Sequence, residues 1–262
     1  GHVTRRGEGA ASPLVRTELR GAVAVLTLDD PARRNAMSLS MAAEVGAELD
    51  RLERSPEVGA VVITGAPPAF CSGAHLGEID ELDRDRLLAI YDGFLRVARS
   101  SLPTVAAVNG PAVGAGANLA LLCDLRLVSP AARLDCAFLD LGLHPGGGNS
   151  WLLQRIAGWE VAAAMNLFGE RLDGAAMVDA GLAWRLIPEA ALVSTAVEMA
   201  GRAAEAPHAL VTQVKASLRE MTGVVSWSEA LDLETERQLD SLRSEPFRHG
   251  LRRRRRRISR TG

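Results

Sequence analysis

Thr104-Val-Ala-Ala-Val108 running into Asn109-Gly-Pro-Ala-Val-Gly-Ala-Gly-Ala-Asn118 decides the fold. A short apolar run stops at an Asn-Gly-Pro turn, and a second apolar run, residues 115–123, follows a glycine-rich loop. That order predicts a strand, a loop and a buried helix. The uncharged stretch 102–123 is long enough to span a bilayer, but Pro103, Pro111, Asn109, Asn118 and three glycines within it favour the strand-loop-helix reading.

The pattern repeats on both sides. Val23-Ala-Val-Leu-Thr-Leu28 is closed by Asp29-Asp30-Pro31, and Ala60-Val-Val-Ile-Thr64 ends at Gly65, each a strand with its turn signal. Between them Met41, Val45, Leu49 and Leu52 line one face of a helix that opens at Ser40 and stops at Ser55-Pro56. Residues 66–77 read as a loop and 78–100 as a charged helix. Downstream, 125–128 predict a strand, 137–143 an extended segment entering His144-Pro-Gly-Gly-Gly148, and 151–156 a helix. Strands separated by helices imply parallel pairing through crossovers, hence an α/β fold. After Ser194 strand signals give way to amphipathic helices, with a boundary near Ala203. The expected organisation is a flexible leader (1–20), a core (21–203) and a helical region (204–262).

Composition narrows the function classes. A 262-residue chain that is 47% apolar can bury a large core. Its net charge of −2 gives no overall attraction for nucleic acid or an anionic membrane, and neither is expected as a partner. The arginine run 252–257 is a local basic patch, read either as a solvated end or as a phosphate contact. Cys71, Cys123 and Cys136 are odd in number and sit among apolar or small residues, which fits buried thiols in the cytoplasm. Residues 1–20 lack the apolar stretch of a secretory signal.

The chemistry lies in two glycine-rich turns, Phe70-Cys-Ser-Gly-Ala-His-Leu76 and 109–118. Each would leave unpaired N–H groups at a helix start, where negative charge is favoured and small residues let a ligand approach the backbone. Taken singly, either turn is equally a matter of tight packing. Gly114-Ala-Gly116 supplies only half of a dinucleotide fingerprint. No Gly-x-Ser-x-Gly elbow and no metal-ligand spacing is present, so no metal and no separate cofactor is expected.

Asp29-Asp-Pro-Ala-Arg-Arg-Asn-Ala36, Ala69-Phe-Cys-Ser-Gly-Ala-His-Leu76, Pro103-Thr-Val-Ala-Ala-Val-Asn-Gly110 and Cys123-Asp-Leu-Arg126 occur in an order that resembles the enoyl-CoA hydratase/isomerase, or crotonase, superfamily. The resemblance extends from about Gly21 to Phe247. It implies a β-β-α spiral core with a C-terminal helical region, a homotrimer or dimer of trimers, and an acyl-CoA thioester as partner, coenzyme A being part of the substrate. It implies further that the peptide N–H groups of Ser72 and Ala115 hold the thioester oxygen, where an enolate charge develops. By the same resemblance Arg33, Arg34 and Ala36 lie near the CoA phosphates and pantetheine, and Ala74, His75 and Leu76 lie beside the adenine. The resemblance also counts Gly114, Phe138, Pro145 and Gly146 among the substrate-binding residues, the turn at Gly146 helping to shape the acyl pocket. Each arginine equally reads as a solvated turn residue, and His75 stands where the family usually has aspartate.

The acid/base set departs from the family. The two hydratase glutamates fall on Asn118 and, with no gap, on Phe138, and a third acidic position falls on Gly146. Asn118 keeps the ability to position a water or carbonyl. Asp140 would share a face with Phe138 on an extended segment, and His144 has a side chain suited to proton transfer near neutral pH. Their structural alternatives are a strand-end acid and a packed loop histidine, and Cys136 with His144 is a further pairing by residue type. Three functions follow: an acyl-CoA enzyme with an oxyanion hole, a non-catalytic acyl-CoA binder, or an assembly protein.

Overall fold

Two parallel strands start the architecture, β2 (Val23–Leu28) and β3 (Ala60–Gly65), with Val23 opposite Ala60. The computed structural model describes residues 12–75, 77 and 83–258, with side chains described as far as Arg255. Between β2 and β3 lies α1 (Leu39–Arg54), capped by the Ser38 hydroxyl, which accepts from the Met41 N–H. Met41, Val45, Leu49 and Leu52 are all buried, as their spacing predicts.

The chain continues through α2 (Arg84–Arg99), β4 (Thr104–Val108), β5 (Pro111–Val113), α3 (Ala115–Leu122), β6 (Leu125–Val128) and β7 (Arg133–Asp135). Then come α4 (Asn149–Leu167), β8 (Leu172–Asp173), α5 (Gly174–Asp179), β9 (Arg185–Leu186) and α6 (Leu192–Ala204). Three helices close the described chain, α7 (His208–Met221), α8 (Trp227–Arg243) and α9 (Glu245–Ile258).

With β1 (Val15–Arg20) at the edge, six strands form one sheet in the order β1-β2-β3-β4-β6-β9, parallel from β2 onward, and β5-β7-β8 form a second. Strand side chains alternate between faces. Leu26, Val61, Ile63, Ala106 and Val108 therefore join one core with α1, α2 and α3, while Val25, Val62, Val105 and Leu127 meet α6 on the other face. Burial on both faces explains why these strands read as unbroken apolar runs.

Two expectations need correction. Val15–Arg20, assigned to the leader, form β1, paired antiparallel with β2 so that Val15 faces Leu28. The edge strand is mostly polar because only alternate residues are partly covered, which hides it in composition. The segment 137–143 is not extended. Ala137 is left-handed (φ 56°), Leu139–Leu141 make a 3-10 turn, and Gly142 is again left-handed (φ 66°).

The C-terminal helices are fastened to the core by Lys215 of α7. Its ammonium is buried and donates to the Leu102 carbonyl and to Asp124 Oδ2, both at 2.6 Å. Asp124 also accepts from the Thr104 N–H at 2.8 Å, so one carboxylate joins the start of β4 to α7. Among the described residues no helix is long and apolar enough to cross a membrane.

Candidate active site

The two glycine-rich loops lie side by side. Phe70 and Cys71 each donate an N–H to the Pro111 carbonyl at 3.1 Å, and Val113 returns one to Cys71 at 3.0 Å. A Cβ on Gly116 would fall 2.1 Å from the Cys71 carbonyl oxygen, so α3 can begin this close to the first loop only because residue 116 is glycine. A third segment is laced in by Asn35, which sequence reasoning quoted but gave no task. Its buried side chain accepts from the Asp30 N–H at 2.9 Å and donates to the Ala66 and Ala69 carbonyls, both at 2.8 Å. The Met37 N–H donates to Gly73 at 2.7 Å, and His75 donates to Met37 at 3.3 Å.

The two amides assigned to the thioester oxygen differ. Ala115 is the first residue of α3, after Gly114 (φ 50°) with no capping side chain, and the first backbone bond of that turn runs from the Asn118 N–H to Gly114 at 3.0 Å. The Ala115 N–H has no acceptor among the described residues. The Ser72 N–H is engaged instead, donating to the Arg34 carbonyl at 3.1 Å, while the Ser72 hydroxyl donates to the Arg33 carbonyl at 3.1 Å. Arg34 and Asn35 hold left-handed conformations (φ 52° and 57°), which turn the 34 carbonyl onto the loop.

Among the other assigned residues, Arg33 is exposed and bonded to Asp30 at 3.1 Å, and Arg34 is exposed. Ala36 is buried, whereas Ala74 and His75 are half-buried and Leu76 lies outside the described residues. Phe138, Pro145 and Gly146 are half-buried.

The acid/base candidates do not converge. Asn118 is buried, with its Nδ2 donating to the Gly146 carbonyl at 3.0 Å and its Oδ1 accepting from Asn149 at 2.9 Å. Both ends of the amide are therefore committed to the protein. Asn149, which sequence reasoning left inside a turn motif, also accepts from Asn166 at 3.0 Å and from the Cys136 thiol at 3.5 Å. Burial pushes the Cys136 thiol up to about 11, so it is a donor here and not a thiolate nucleophile. With 137–143 folded as a turn, Asp140 points outward, its side chain 63% exposed and paired with Arg171 at 2.6 Å. His144 is exposed, its Nδ1 2.8 Å from the Pro145 carbonyl.

Tyr91, the single tyrosine of the chain, enters the same region from α2. A Cβ on Gly146 would fall 2.3 Å from its hydroxyl oxygen, and one on Gly147 would fall 2.7 Å both from Asn118 Nδ2 and from the Phe94 ring. No sequence signal marks Tyr91 except that singularity, because the relation to Gly146 exists only across the fold.

A parallel sheet whose crossover loops open helix N–H groups beside a basic turn, followed by a helical C-terminal region, defines an α/β protein of the crotonase class. The family model for enoyl-CoA hydratase/isomerase matches residues 18–257, and the chain belongs to that family. It is 46% identical over 216 residues to a probable enoyl-CoA hydratase of Mycobacterium tuberculosis, covering 81% of this chain and 82% of that one. It is 31% identical over 237 residues to the 1,2-epoxyphenylacetyl-CoA isomerase of Escherichia coli, covering 87% and 90%. The crystal structure of an enoyl-CoA hydratase subunit from Geobacillus kaustophilus superposes with a TM-score of 0.84 at 29% identity, covering 91% of this chain and 93% of that one. Membership in this family makes acyl-CoA metabolism the setting of the protein.

Proposed function

We propose that the chain is an acyl-CoA enzyme that polarises a thioester carbonyl with the Ala115 N–H. The Ser72 N–H joins as a three-centred donor shared between that oxygen and the Arg34 carbonyl. The observation that carries the reading is the open first turn of α3, an N–H with no acceptor backed by the helix dipole. A preorganised donor of this kind acts on the charge that develops as an enolate forms, and one such donor contributes about 2.7–4 kcal/mol. Arg33 and Arg34, both exposed on the adjoining turn, suit the phosphates of the coenzyme A portion.

Ordinary hydration of a 2-enoyl-CoA is weak or absent in this reading, because Asn118 and Phe138 stand at the positions of the two glutamates. A second reading, a non-catalytic acyl-CoA binder, is favoured by the way Asn118 is committed at both ends and Asp140 is paired at the surface. Purified protein given crotonyl-CoA and longer 2-enoyl-CoAs separates them. Turnover of any thioester supports the enzyme, and micromolar binding without turnover supports the binder. Neither binding nor turnover removes both and leaves the fold serving assembly. The reading includes a cytoplasmic homotrimer or dimer of trimers, supported by the exposed Trp159, Phe168 and Trp184, and sedimentation velocity tests the assembly.

A further inference from the structure

Tyr91 is half-buried, and its hydroxyl, which keeps contact with solvent, makes no hydrogen bond within the described residues. Tyrosine hydroxyls that leave solvent usually find a partner, because the ring is apolar and the oxygen is not. This one is held in place rather than loose. Its ring packs on Phe94 at 5.5 Å between centroids and a tilt of 51°, and Phe94 is fully buried. The oxygen stands where a side chain on residue 146 would begin, at 2.3 Å from that Cβ position, so the glycine leaves room for it.

The hydroxyl sits near the acyl end of the proposed site. Gly146 is bonded through its carbonyl to Asn118, and Asn118 lies three residues along α3 from Ala115. Three residues of helix advance about 4.5 Å. In the acyl-CoA reading the Gly146 turn helps to shape the acyl pocket, which would bring the first carbons of a chain held at the Ala115 N–H past Tyr91. The other polar side chains of that turn are committed: Asn118 and Asn149 to each other, and Asp140 to Arg171.

We infer that Tyr91 is a specificity-determining residue whose hydroxyl hydrogen-bonds an oxygen carried on the acyl chain, selecting oxygen-bearing acyl-CoA thioesters over unsubstituted ones. The inference rests on the acyl-CoA reading above. A plain alkyl chain seated there would displace water from the phenol and give it no partner, whereas a hydroxyl or carbonyl near the third carbon meets it.

Calorimetric titration of the full chain with butyryl-CoA and with 3-hydroxybutyryl-CoA tests this. The unaltered protein is expected to bind the hydroxy thioester about three- to tenfold more tightly, one net hydrogen bond's worth. Tyr91→Phe should equalise the two by weakening only the hydroxy compound. Gly146→Ala, which crowds the hydroxyl, should also erase the preference. Equal affinities in the unaltered protein, or a preference kept by Tyr91→Phe, would overturn the inference and leave the acyl-CoA reading standing. Failure of the unaltered protein to bind either thioester would overturn both.

Discussion

Asn149 donates from its Nδ2 to the Oδ1 of Asn118 at 2.9 Å, and both side chains are buried. This bond makes Asn118 a structural joint. It ties the start of α4 to α3, and Asn118 carries the tie on to Gly146. Each end of the Asn118 amide thus has one protein partner, and the one N–H and one lone pair that remain belong to a buried side chain.

Replacing Asn149 with Ala should therefore cost stability before it touches chemistry. It strands Asn118 Oδ1, the Cys136 thiol and the Asn166 amide in a buried place. A buried group left without its partner costs about 1–3 kcal/mol, and urea unfolding reads it directly. Asn118→Glu should not restore hydration of crotonyl-CoA, since a carboxylate there faces the Gly146 carbonyl. Hydration at ordinary hydratase rates in that variant would show that one carboxylate at position 118 is sufficient.

Ala115→Pro isolates the open donor. Proline is tolerated at the first position of a helix, where its missing N–H has no backbone partner to lose. The variant should keep its circular dichroism. Enolate formation, with the α-proton passing to deuteroxide or buffer and read as exchange of the α-protons of butyryl-CoA in heavy water by NMR, should fall about 10²-fold. An undiminished exchange rate would mean that the Ala115 amide does not meet the thioester.

Asp140→Asn and His144→Ala should each leave acyl-CoA binding and turnover within about twofold, as for surface substitutions away from a site. Asp140 is paired with Arg171, and His144 is exposed. A large loss of turnover in either would place that side chain at the acyl group after all.

The reach of sequence reasoning follows from the range of the interactions. Met41, Val45, Leu49 and Leu52 declare their helix by local period, and the runs 23–28, 60–65 and 104–108 declare their strands because a parallel sheet buries both faces. The loops were legible because Gly116 stands where backbone approach demands it and Gly114 where φ is positive (50°). Ser72 was only half legible. Its place beside the second loop follows from the motif, but the bond from its N–H to Arg34 depends on two consecutive left-handed residues that neither arginine nor asparagine announces. The fate of Asp140 depended on Ala137 adopting φ 56°, a local reversal that an apolar-looking segment conceals. Asn149 and Tyr91 draw their meaning from partners in distant parts of the chain, which no period or spacing encodes.

Glu53, on α1, contributes to the acid limit of the fold. Its carboxylate accepts from the Ser101 N–H at 2.5 Å, from the Ser100 hydroxyl at 2.9 Å and from Arg96 of α2. Burial pushes the Glu53 carboxyl up, but the bonds from Arg96, Ser101 and Ser100 together outweigh it and hold it below the ordinary value of 4.5. A carboxyl depressed in the folded chain releases its proton more readily there than in the unfolded chain. It thus contributes stability above the unfolded value, and that contribution is lost as pH falls through the lowered one. Urea midpoints of the unaltered protein should decline from just above pH 4.5 downward. Glu53→Gln should lower the midpoint at neutral pH, losing about 1.5–3 kcal/mol with its charged hydrogen bonds, and should flatten that acid decline. A decline of the same steepness in both proteins would assign the acid sensitivity to other carboxylates.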